Sequence, residues 1–324
     1  MRGFKKKLLV LFKVCVSIFI LIYVFRQVDK SNIYRIIKQA DKIYLLLAFF
    51  IFLLQYAIGV LRWQMLLKAV KINLSIKRVI ISFSGSVFFS LLPFVSVIGG
   101  DIARGADLAQ HTQRSKEVIT TVFLDRLSGY VGLVLLAAFA FMLGDIQDAT
   151  TLSFLLAIIL VLVFILLVLF NKSLFSFVNG FFRSSETGGI KDSLKNIHHE
   201  LHIFRHQKSV IIKNLLLSII IQACSPIIWI IISLSLGIKS QPLYFFIFTP
   251  IVGAITMLPI SVAGGLGIRE YFTGLFFTRV GIHNDMAVAM SLVNSFFVII
   301  AGVIGGLIYV FTVHHRRMQY NPSP

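Results

Sequence analysis

Ser96-Val-Ile-Gly-Gly-Asp-Ile-Ala-Arg104 and Ser261-Val-Ala-Gly-Gly-Leu-Gly-Ile-Arg269 share one pattern, S-V-x-G-G-x-x-x-R. Each follows an apolar run interrupted by a proline, Pro93 or Pro259. Proline removes a backbone donor and glycine relaxes the chain, so both stretches read as places where a hydrophobic helix breaks beside a fixed cation. Within a membrane, such breaks are tolerated only where protein or water shields the freed backbone.

The surrounding chain is membrane-like. Of its 324 residues 57% are hydrophobic and 14% charged, mean hydropathy is +0.90, and apolar runs of about 18 residues or more recur along it. They fall near residues 8–25, 43–61, 79–98, 118–143, 152–170, 211–236, 243–263, 266–282 and 286–311. The first follows Lys5-Lys-Lys7 but has no small-residue cleavage site, so it reads as a retained span rather than a signal peptide. The net charge of +18 would suggest nucleic acid in a soluble protein. Here most of the cations lie between apolar runs, where they set topology and meet anionic headgroups, and no nucleic-acid partner is expected. Cys15 and Cys224 stand alone in apolar text, which gives neither a disulfide framework nor metal-ligand spacing.

Charge decides which runs cross. If every run crossed, the loops assigned to the outside would hold the excess of Lys and Arg, against the positive-inside bias. If the two runs carrying the repeated phrase enter and leave on the same side, twenty Lys and Arg lie inside and eight outside. The inside loops are then 1–7, 62–78, 99–117, 171–210 and the C-terminal tail 312–324. The outside loops are 26–42, 144–151, 237–242 and 264–285. The loop 144–151, with Asp145 and Asp148 and no cation, and the loop 171–210, with six Lys and Arg, carry the decision. The expectation is an all-α polytopic membrane protein with about six full transmembrane helices. Two oppositely oriented re-entrant hairpins form an inverted repeat, and both termini face the cytoplasm.

The repeat extends upstream of the phrase. Trp63 and Trp229 lie 166 residues apart, as do Ile72 and Ile238, while Ser96 and Ser261 lie 165 apart. Residues 63–104 and 229–269 therefore read as two repeat units within a single transmembrane domain. Residues 190–209 differ from both: apolar positions at helical spacing oppose a basic face, which predicts an amphipathic helix on the inner membrane surface. His198, His202 and His206 fall on that face at metal-like spacing. A solvated basic face over anionic lipid explains them better, because no Cys or carboxylate other than Glu200 completes a ligand set, and no metal site is expected.

Charges inside apolar runs are costly and therefore informative. Asp125 and Arg126 lie within the run 118–143. Neighbouring residues point about 100° apart on a helix, so at least one of the two needs a partner elsewhere. Asp101 and Arg104 after the first Gly-Gly, and Arg269 and Glu270 after the second, are the candidates. Such ion pairs serve structure as readily as function, and the Gly-Gly pairs also suit close helix packing. No nucleotide-binding loop, HExxH motif, paired acidic cluster or Ser-His constellation appears, so neither an enzyme nor a cofactor is expected.

Arg62-Trp63 with Leu66-Leu67-Lys68-Ala69, Pro93 with Gly99-Gly100-Asp101 and Arg104, Asp125-Arg126-Leu127, and Pro259 with Gly264-Gly265-Leu-Gly-Ile-Arg269-Glu270 together resemble a known family. It is the transmembrane flippase domain of lysylphosphatidylglycerol synthases and its stand-alone relatives. The resemblance covers nearly the whole chain. It implies a multi-pass protein of the inner, cytoplasmic membrane that moves a phospholipid or polyprenyl-phosphate lipid between leaflets, with lipid-synthesis enzymes as candidate partners. The soluble aminoacyl-transferase domain of the synthases has no counterpart in this sequence, so lipid lysylation is not expected. Arg104 and Arg269 are assigned to the lipid phosphate, Asp125 and Arg126 to the groove beside it, and Asp101 and Glu270 to holding the cations. Pro93, Gly99, Gly100, Pro259, Gly264 and Gly265 are assigned as hinges. A membrane-embedded transferase on a polyprenyl phosphate, and a non-transporting scaffold for lipid synthesis, are the competing readings.

Overall fold

The computed structural model describes residues 19, 22–24, 26, 28–92, 95–144, 148–181, 204, 207–258, 261 and 263–319. Most of the expected first span, Pro93, Pro259, Asp145 and most of the expected amphipathic helix lie outside the described residues.

Helices account for most of the described residues. They are α1 (Lys30–Lys38), α2 (Lys42–Ala69), α3 (Ile76–Ser90), α4 (Val97–Thr112), α5 (Ser115–Leu143), α6 (Ala149–Phe170), α7 (Lys172–Phe181), α8 (Lys208–Ser235), α9 (Pro242–Thr256), α10 (Ile268–Phe277) and α11 (Asn284–Gln319). Side-chain caps start several of them: Asp41 accepts from the Ile43 amide, Ser75 from Arg78, Ser96 from Gly99 and Asp148 from Thr151. Among the described residues, α2, α5, α6, α8 and α11 are long and apolar enough to cross a membrane. The protein is an all-α polytopic membrane protein. Helix α11 continues to Gln319, well into the stretch 312–324 expected to be the C-terminal tail.

Helices α3 and α9 are each 15 residues long, roughly 22 Å, and so fall short of a hydrocarbon core of about 30 Å. Each is followed by a break and then a second helix packed back against it, α4 on α3 and α10 on α9. Much of the stretches 99–117 and 264–285, counted above as loops, is therefore the returning limb of a helical hairpin.

The order of elements repeats. Helices α2 and α3 begin and end 166 residues before α8 and α9. Helix α2 lies against α8, α3 packs on α11 and, reciprocally, α9 packs on α5. Helices α2 and α8 run antiparallel: the Asp41 amide donates to the Ser235 carbonyl at one end (2.8 Å), and Gln207 Nε2 to the Ala69 carbonyl at the other (3.0 Å). Midway, Gln55 Nε2 donates to the carbonyl of Ile221, the residue 166 positions later (2.9 Å). Equivalent residues can touch only near the pseudo-two-fold axis that relates the halves.

Side-chain and backbone contacts sort the loops into two ends. At one end, Asp285 accepts from the Asp29 amide and from Asn32 Nδ2, and Asp148 pairs with Arg279 Nη1 at 2.6 Å. At the other, Arg114 Nη1 donates to the Lys71 carbonyl and Arg78 pairs with Asp107 at 2.8 Å. Residues from 26–42, 144–151, 237–242 and 278–285 thus gather at one end, and residues from 62–78, 99–117 and 207 at the other.

The two halves have different cores. Around Trp229 the second half packs Phe245, Phe248, Phe276 and Phe277. The corresponding region of the first half mixes Trp63, Leu66, Leu67 and Leu108 with buried charge.

Candidate functional site

That buried charge forms one continuous network. Asp125 on α5 pairs with Arg62 Nε of α2 at 2.8 Å and with Arg104 Nη2 of α4 at 2.7 Å. Arg104 Nε reaches Asp101, one turn earlier on α4, at 3.1 Å. Asp101 in turn holds Arg126 of α5, accepting from its Nη2 at 2.7 Å and pairing with its Nε. Each carboxylate bridges two guanidiniums, which is how a low-dielectric interior makes buried charge tolerable.

The members of the network are not equivalent. Arg104 is 2% exposed, committed to both carboxylates, and packed with its guanidinium 4.5 Å from the Trp63 ring and 4.9 Å from Phe83. Arg62 is closed off by Ser218 Oγ and by the Asp125 carbonyl. Arg126, with its side chain one-third exposed, is the open end.

It opens on a cavity of about 330 Å³ that Arg62, Arg104, Asp125 and Arg126 line together with Gln55 on the pseudo-axis. Aromatic and small residues complete the wall, including Tyr56 and Tyr130. Ser86 and Ser90 of the first hairpin meet Thr256, Met257 and Gly264 of the second across it. Among the described residues no group of His, Cys, Asp and Glu is placed to hold a metal ion.

The second half is built differently. Glu270 accepts from Ser291 and Ser295 hydroxyls and from the Gly267 amide, while Arg269 approaches it only to 3.9 Å. Arg269 Nη2 donates to the Gly264 carbonyl at 2.9 Å. Gly264 lines the cavity and Arg269 does not, so this cation stands behind the wall rather than in it.

The repeated phrase also takes two conformations. Ser96 caps α4, and Gly99 and Gly100 lie in its first turn as ordinary helical residues. A side chain on Gly100 would approach the Ser86 carbonyl to 2.3 Å, so its smallness lets α4 lie directly on α3. Gly264 and Gly265 instead adopt left-handed φ of 68° and 91° in a tight turn, with Ala263 at 51° beside them. The flexible break inferred for both copies is seen at the glycines only in the second. In the first it lies before Ser96.

Residues 10–306 match the family model described as the lysylphosphatidylglycerol synthase TM region. The chain belongs to that family. It is also 24% identical over 282 residues, 80% of this chain and 84% of the other, to UPF0104 membrane protein PH1989 of Pyrococcus horikoshii. The family match includes every residue of the ionic network.

Asp101, Arg104, Asp125 and Arg126, read from sequence as separate pieces of this family's pattern, meet in one network. Arg269 and Glu270 form their own pair outside it. The apolar run 43–61 ends one residue before Arg62, which places Arg62 in the loop 62–78 on sequence alone. The helix continues to Ala69 and buries it. The adjacent Trp63, scarcely a loop residue, was the available signal.

Proposed function

We propose that this membrane protein moves a phosphate-bearing lipid between leaflets, and that Arg126 is the group that meets the headgroup. The observation that carries the reading is the cavity. It lies on the pseudo-axis between two broken hairpins, and its wall includes the partly exposed end of a cationic network. A guanidinium offers a planar fork suited to phosphate, and broken helices around a midplane site suit rocking of one half against the other. Arg104 then anchors the first hairpin instead of contacting lipid, and Arg269 becomes accessible only if the Gly264 turn shifts. The more basic end faces the cytoplasm on this reading, which puts both chain termini inside.

The test is reconstitution into liposomes with fluorescent lipids of several headgroups. Wild-type protein accelerates exchange of phosphate-bearing lipids between leaflets. Arg126→Ala slows it by about tenfold or more, whereas Arg126→Lys keeps part of the rate. Exchange no faster than in protein-free liposomes for every headgroup refutes the proposal.

A further inference from the structure

The network contains three guanidiniums and two carboxylates, in the contact order Arg62, Asp125, Arg104, Asp101, Arg126. All three guanidiniums border the cavity, but Arg62 and Arg104 are buried against their carboxylates while the Arg126 side chain is one-third exposed, so the uncompensated positive charge is most available at Arg126. Arg269 and Glu270, behind the Gly264 turn, have opposite charges 3.9 Å apart and add nothing to the balance. Excess charge of either sign is costly away from bulk water. A ligand that brings one negative charge balances this site, whereas one that brings two overshoots.

We propose that Asp101 sets the charge of the lipid accepted, so that the cavity selects a singly charged phosphodiester headgroup over a phosphate monoester. A monoester carries about −1.5 to −2 charges near neutral pH. This rests on the lipid-transport reading above. Asp101 occupies the Nε/Nη2 edge of Arg126 from the protein side, and the phosphodiester approaches the rest of the guanidinium from the cavity. Removing the Asp101 charge leaves two positive charges uncompensated and shifts the match to the monoester.

Trp63 provides a reporter, because Arg104 stacks on it and the chain has one other tryptophan. Trp229 lies in the aromatic core of the second half, so a Trp229→Phe background isolates the Trp63 signal. Its fluorescence is titrated at pH 8 with dihexanoyl phosphatidylglycerol, dihexanoyl phosphatidic acid and dimethyl phosphate. Phosphatidylglycerol binds about tenfold more tightly than phosphatidic acid, and Asp101→Asn reverses the order. Arg126→Gln weakens both and abolishes the preference, which keeps a second variant available if Asp101→Asn does not fold. Phosphatidic acid binding as tightly as phosphatidylglycerol to the unsubstituted network overturns the charge rule, as does an unchanged order in Asp101→Asn. Dimethyl phosphate binding as tightly as the lipid assigns the site to a free phosphodiester and overturns the lipid specificity. Lipid movement in liposomes without charge preference sinks this rule alone. Charge-selective binding without movement sinks the transport reading alone.

Discussion

Asp125 joins three helices because each of its carboxylate oxygens meets a different arginine, Arg62 of α2 and Arg104 of α4. Arg126, the next residue, has a single carboxylate partner and a partly exposed side chain. Removing one partner from a buried network strands the others, at a cost of about 3–5 kcal/mol, whereas a group with access to the cavity loses less. Asp125→Asn is therefore expected to lower the unfolding midpoint in detergent markedly, and Arg126→Gln only slightly. Equal losses, measured by thermal unfolding, contradict this division of roles. The two tryptophans show the same divergence between halves. Trp63 stacks on the Arg104 guanidinium, and Trp229 lies parallel to the Phe277 ring at 6.1 Å.

Among the elements, the first hairpin depends on contact rather than flexibility. Helix α4 lies against α3 where Gly100 faces Ser86 and Ser90, and Ser82 Oγ donates to the Arg104 carbonyl. A methyl group at residue 100 meets backbone, which cannot turn aside. At residue 105 it meets only Val122 at 3.6 Å, an ordinary contact. Gly100→Ala is expected to destabilise by about 1–3 kcal/mol through overpacking. Gly105→Ala should be neutral or stabilising by up to about 1 kcal/mol, because alanine favours a helix over glycine. Denaturant titration of both variants in one detergent decides the matter, and a harmless Gly100→Ala contradicts the packing. The close approach was legible in outline from the Gly-Gly pair. Its partner was not, since no local pattern connects Gly100 with Ser86.

For the whole molecule, antiparallel α2 and α8 place the loops at two ends: 26–42 lies at one, and 62–78 with 99–117, which together hold more Lys and Arg, lies at the other. With that end cytoplasmic, cysteines at Lys116 and Lys208 should react only with reagent that has entered the cell. Cysteines at Lys30 and Lys239 should react from outside. The measurement uses a background with Cys15 and Cys224 replaced by serine. Reaction of position 208 from outside contradicts the arrangement.

Composition and run length alone determined that this is a helical membrane protein, because about 20 apolar residues have few other stable fates. The spacing of Trp63 from Trp229 and the doubled S-V-x-G-G-x-x-x-R made the repetition of elements visible, since a repeat is a property of text. Only the tertiary structure decided how that text is used. Phrases of one pattern became a helical turn against α3 in one half and a left-handed turn in the other, because backbone conformation at glycine follows the neighbours that pack on it. Likewise the arginines at the ends of the two phrases, equal on the page, part company in space. Arg104 finds two carboxylates supplied by α4 and α5, whereas Arg269 finds a carbonyl and a distant glutamate. Long-range ion pairing depends on which helices meet, and one-dimensional spacing does not encode that.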